Sequence, residues 1–216
     1  MFYISFFFEF IAFAAGLWLF KKLQPASFKL LVILLLFTVL NEAFSFWGVY
    51  QSIGVSKSYF YTGFFFLQSV FFWKLFRDAF LDSRYKYFLN ILSIFFILGM
   101  ISSLIIGGAE KLNPAFKNFV CLHIISIGSL YYYYIYNSHK IRSFLKEPFF
   151  WLATGIILVN FINLFFVNVV FIKSFVQNPS SKIIYKILNT FGNIVYYSLI
   201  IYAFICSSRF QKRDIT

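Results

Sequence analysis

The chain has 216 residues, of which 61% are hydrophobic, 25% aromatic and only 12% charged. With a mean hydropathy of +0.81, it cannot cover its apolar surface as a water-soluble domain. The net charge of +12 does not point to nucleic acid, because the basic residues lie between apolar runs and form no continuous patch or block. These limits leave an all-α, polytopic membrane protein, a single transmembrane domain over 1–216 with lipid around it.

A helix needs ~20 apolar residues to cross a bilayer. Runs near 2–20, 28–50, 58–78, 87–108, 116–136, 148–172 and 184–207 meet that length, so seven spans are expected. The opening run "MFYISFFFEFIAF" has no basic segment before it and no small-residue cleavage site after it. It reads as an uncleaved first span carrying Glu9. The second run contains "FTVLNEAFSFW", with Asn41 and Glu42 well inside it. A carboxylate there costs at least ~2.5 kcal/mol on insertion scales, so it needs a partner or a wet cavity.

The third run holds Gln68, and the fourth is apolar through its centre, with only Asn90 near one edge. The fifth carries His123 and Cys121, the sixth Asn160 and Asn163, and the seventh Asn189, Asn193 and Cys206. The two cysteines fall in different spans at different depths, which argues against a disulfide, and His123 and His139 lack metal-site spacing. Pro25, Pro114, Pro148 and Pro179 all fall at breaks between runs, where a missing backbone donor costs little.

Thirteen of the nineteen Lys and Arg residues fall on the side of the first, third and fifth loops and the C-terminus. Basic loops stay cytoplasmic, so the expected orientation is N-terminus outside and C-terminus cytoplasmic. Trp18, Trp73, Trp151 and the run "YYYYIY" at 131–136 then form an aromatic belt at the inner interface.

Converting position to depth at ~1.5 Å per residue places Glu9, Asn41, Glu42, Gln68, His123, Asn160, Asn163, Asn189 and Asn193 in one slab of the outer half. Six spans contribute to it and the fourth does not. The Asn pairs at i, i+3 and i, i+4 each share a helix face. Turning all these faces towards a common cavity keeps them away from lipid, although Asn and Gln also serve as interhelical glue. No Lys or Arg is expected at the depth of the two carboxylates, and His123 is the expected partner of Glu42. Asn41, ~100° around the helix from Glu42, should meet a neighbouring helix.

No G-x-S-x-G, H-E-x-x-H, paired C-x-x-C or Gly-rich phosphate loop occurs, so no catalytic, metal or cofactor signature is present. A retinal protein is disfavoured because the last span has no central lysine. A hydrolase built on Glu9, Glu42 and His123 is a third-ranked alternative.

Spans one to three and five to seven carry the embedded polar residues, which allows a three-plus-one-plus-three plan. In this the chain resembles the SWEET transporters and their PQ-loop relatives, which share seven spans with the N-terminus outside, but it has no Pro-Gln motif in any span. Parallel repeats of this kind imply a midplane transport site. The stretches "FFFEFIAF", "LNEAFSFWGVY", "YFYTGFFFLQSVFFW", "PFFWLATGIILVNFINLFF" and "ILNTFGNIVYYSLIIYAFIC" are similar to uncharacterised seven-span proteins of Bacteroidetes. That resemblance implies a sensory partner of histidine kinases. The expected function is a receptor-like sensor that takes a small ligand from outside and passes the signal through basic loops and the tail "SSRFQKRDIT" to a separate partner. The alternative is a small-molecule or proton-coupled transporter.

Overall fold

Proline and short polar caps set where several of the helices begin. Pro114, Pro148 and Pro179 are each the first residue of a helix, the position where the absent N–H is not needed. The Asn113 side chain accepts from the backbone N–H groups of Ala115 and Phe116, and Ser56 and Asp82 cap two other helices in the same way. Such caps contribute about 1 kcal/mol each.

The computed structural model describes residues 2–52, 54–108, 113–138, 144–170 and 179–210. Lys111, His139, Lys140, Arg142, Lys173 and the tail at 211–216 lie outside the described residues. Every regular element described is helical: α1 (Phe2–Leu19), α2 (Phe28–Phe46), the single turn α3 (Val49–Ser52), α4 (Lys57–Ala79), α5 (Ser83–Gly107), α6 (Pro114–Asn137), α7 (Pro148–Val170) and α8 (Pro179–Phe210).

Six of these helices are long and apolar enough to cross a membrane, which makes this a helical, multi-pass membrane protein. The long helix outside that set is α4. It has 23 residues, but Lys57, Gln68, Lys74, Arg77 and Asp78 make it more polar than its neighbours. Two boundaries also differ from expectation. The second run does not continue to 50: Gly48 takes a positive φ of 69°, which a Cβ would disfavour, and the chain turns into α3. The last helix starts five residues before the expected 184, at Pro179.

Six helices form a closed ring in the order α1, α2, α4, α6, α7, α8, with α8 returning to α1. The seventh long helix, α5, stands outside this ring, packed along α6 and against part of α4. Its outward face is apolar, with Phe88, Ile91, Phe95, Leu98 and Ile105 exposed.

The two ends of the ring differ. At one, aromatic side chains fill the axis. Phe28 at the start of α2 packs on Phe149 at the start of α7 (ring centroids 4.8 Å apart) and on Phe204 near the end of α8 (6.3 Å). Phe76 near the end of α4 meets both Phe149 (5.6 Å) and Tyr131 of α6 (5.3 Å). All five are at most 3% exposed. The expected aromatic belt is therefore split. Tyr131 and Tyr134 are buried in this plug, whereas Trp18, Tyr133 and Tyr136 face outward. The cause is helical period: positions 131, 134 and 135 share the inward face of α6 and 133 and 136 do not. At the same end the Ser207 hydroxyl donates to Gln24 O (2.7 Å) and accepts from Gln24 N–H (3.0 Å), fastening the α1–α2 connection to α8.

Glu147, just ahead of α7, accepts a hydrogen bond from the Tyr131 hydroxyl (3.2 Å). Burial pushes its carboxyl above the ordinary range, and the Tyr131 bond only partly opposes this. A raised folded-state value means the folded form holds the proton more tightly than the unfolded one. The contribution of Glu147 to stability is therefore fullest at low pH and is lost as pH rises through the ordinary carboxyl range to the raised one. Thermal unfolding of purified protein against pH should show this fall, and Glu147→Gln should make it shallower. An unchanged slope in that variant would remove Glu147 as its source.

Candidate functional site

The other end of the ring is hollow. Its cavity has a volume of about 560 Å³ and is lined by residues from all six ring helices and none from α5. It lies where α1, α4, α6 and α8 begin and where α2 and α7 approach their ends, so it faces away from the aromatic plug.

Each wall is one helix face at the spacing that an α-helix imposes. Ser5 and Glu9 are four apart on α1, and Thr38 and Glu42 four apart on α2. Tyr61, Phe64, Phe65 and Gln68 follow the same period along α4. The wall from α6 is Lys117, Val120 and Cys121, and that from α7 is Val159, Asn160 and Asn163. On α8 the face runs over three turns through Lys186, Asn189, Thr190, Asn193, Tyr196 and Tyr197.

Glu9 is 4% exposed. The Tyr197 hydroxyl lies against its carboxyl, and Glu42 is within Coulombic range. Its Oε1 is buried and has no hydrogen-bond partner among the described residues. Glu42 is half-buried, and both of its carboxyl oxygens receive the Tyr61 hydroxyl, at 3.3 and 3.4 Å. Lys57, outside the cavity lining, donates to Ser45 O (3.2 Å) and lies within Coulombic range of Glu42. Among the described residues the ion pair is Lys74–Asp78, far along α4, so neither cavity carboxylate is in a salt bridge there. Lys117 is half-buried with its ammonium 5.5 Å from the centre of the Phe65 ring, while Lys186 is exposed. Asn160 donates to Ile156 O of its own helix (2.8 Å), leaving its side-chain carbonyl for the cavity.

Of the nine residues expected in the slab, Glu9, Glu42, Gln68, Asn160, Asn163, Asn189 and Asn193 line this cavity. Two do not. Asn41 points away, and its Oδ1 accepts from the Tyr50 hydroxyl of α3 (2.6 Å). The ~100° offset from Glu42 turns it out of the cavity, but its partner comes from the turn that follows α2 in the same expected span and not from another span.

His123 has the right depth and the wrong rotation. Its Nδ1 bonds the Ser69 hydroxyl of α4, its Nε2 lies 2.9 Å from the Ser93 hydroxyl of α5, and it is 0% exposed. It is therefore not the partner of Glu42, and the hydrolase constellation of two carboxylates and an imidazole is not assembled. Its role in the structure is a polar clamp that holds α5 to the ring.

Sequence reasoning missed Tyr61, Tyr196 and Tyr197, which read as part of aromatic runs. It also assigned Lys117 and Lys186 to topology alone and expected no cation near the carboxylates. The signal was in the period: Tyr61 precedes Gln68 by seven, and Tyr196 and Tyr197 follow Asn193 by three and four.

Comparison of the chain with protein-family models, with curated proteins and with solved structures finds no match.

Proposed function

We propose that this protein is a receptor-like sensor of the bacterial inner membrane, with seven spans, the N-terminus outside and the C-terminus cytoplasmic. In this reading α4 is the seventh span. It takes a full place in the ring between α2 and α6, and at ~1.5 Å per residue its 23 residues reach ~35 Å, enough to cross a bilayer. Part of its polarity comes from Tyr61, Gln68 and Ser69, which face protein and cavity instead of lipid.

One observation carries the choice of sensor over transporter: the cavity is confined to one end of the ring and the other end is filled by Phe28, Phe76, Tyr131, Phe149 and Phe204. A transporter must open its site to both sides in turn. A sensor needs one opening, and its signal travels by small shifts of packed helices. The basic loops next to the plugged end would present that shift to a separate cytoplasmic partner.

The test is a Thr190→Cys reporter in a Cys121→Ser, Cys206→Ser background. A membrane-impermeant thiol reagent should label it in spheroplasts and leave it unlabelled in inverted vesicles. Equal labelling from both sides would favour the transporter, and reporters at the two termini found on one side would overturn the seven-span count.

A further inference from the structure

Four charges line the cavity, two carboxylates and two ammonium groups, and none is in an ion pair among the described residues, although Lys57 outside the lining lies within Coulombic range of Glu42. Glu9 has an unpartnered, buried Oε1, and the half-buried Glu42 has the neutral Tyr61 hydroxyl as its hydrogen-bond partner among the described residues. Lys117 and Lys186 line other walls, Lys117 with its ammonium on the Phe65 ring and Lys186 exposed near the start of α8. Along α8, Lys186 precedes Tyr197, the neighbour of Glu9, by eleven residues, an axial separation of about 16 Å.

A purely cationic ligand would be drawn to the carboxylates and repelled by the lysines. A purely anionic one would be held by the lysines and repelled by the two carboxylates. Only a ligand carrying both charges satisfies both groups. Uncompensated charge in a low-dielectric site is costly, and a bound counter-charge with good hydrogen bonds relieves that cost.

Resting on the sensor reading above, we propose that the cavity takes a zwitterionic small molecule, its ammonium seated on Glu9 and Glu42 and its anionic group on Lys117 and Lys186. The rings of Tyr61, Phe64, Phe65, Tyr196 and Tyr197 flank the path between the two poles and suit the apolar body of such a ligand as well as its ammonium. The Asn side chains of α7 and α8 supply neutral donors and acceptors that fix its orientation.

The experiment measures binding to the full chain in nanodiscs by calorimetry and by thermal shift. The probes are glycine, 4-aminobutanoate, 6-aminohexanoate and 8-aminooctanoate, each beside the amine and the carboxylic acid of matching length. At least one amino acid of the series is expected to bind at least about tenfold tighter than its matched amine and acid, the scale of one charge-assisted hydrogen bond. Glu9→Gln and Glu42→Gln should each lower that affinity by about tenfold or more, and Lys117→Met should erase the advantage over the amine. The wild-type comparison decides the matter even if a variant fails to fold. An amine binding as tightly as its amino acid, an acid doing so, or no binding across the series would overturn the zwitterion. If Thr190→Cys is still labelled from outside in that case, the outward cavity stands without it; if that labelling fails as well, the sensor reading falls too.

Discussion

Replacing His123 with alanine should lower the stability of the protein by about 3 kcal/mol, and it should do so without any ligand present. The imidazole is fully buried and joins three helices, through Ser69 on α4 and Ser93 on α5, and packs against Phe96 at 5.5 Å. Truncation leaves a void that a helical bundle closes only in part, and it strands two buried hydroxyls. Because α5 stands outside the ring, its attachment should be the first to loosen. Equilibrium unfolding in mixed micelles should show the loss, and limited proteolysis should favour the α5 connections. By contrast, Glu42→Gln keeps the Tyr61 contact and removes a half-buried charge, so its stability should stay within about 1 kcal/mol of the parent. A His123→Ala protein as stable as the parent would mean that the clamp does not hold α5.

The aromatic plug should produce the second large effect. Phe76 and Phe149 meet Tyr131 at the ring axis, so the double change Phe76→Ala, Phe149→Ala removes the centre of the seal. Single Phe→Ala changes in packed cores cost about 3–5 kcal/mol, and adjacent residues do not add simply. The functional result is the sharper one. In the Thr190→Cys background, labelling from inverted vesicles should appear in the double variant while labelling in spheroplasts is kept. Phe76→Leu, Phe149→Leu, which keeps most of the volume, should restore the seal. If inverted vesicles stay unlabelled when both rings are gone, the closure lies elsewhere and the one-sided access rests on other residues.

The amino-acid sequence by itself determined the class and the slab. Apolar runs longer than a bilayer is thick leave a chain no soluble alternative, and backbone hydrogen bonding in lipid makes them helices. Proline and capping residues then marked several starts, as at Asn113–Pro114. Depth was legible because helical rise is constant, so seven of the nine expected polar residues share one cavity, and α5, whose central polar group Ser93 turns to His123, is the helix outside the ring.

Rotation and neighbourhood were decided only by the tertiary structure. His123 and Cys121 are two residues and ~200° apart on one helix, and packing alone sent the cysteine to the cavity and the imidazole to Ser69 and Ser93. The same packing turned Tyr131 and Tyr134 into the plug, and paired Glu42 with Tyr61 instead of His123. A sequence states what lies at each depth. Which helix stands opposite follows from side-chain fit across the whole ring, and that information belongs to no single segment.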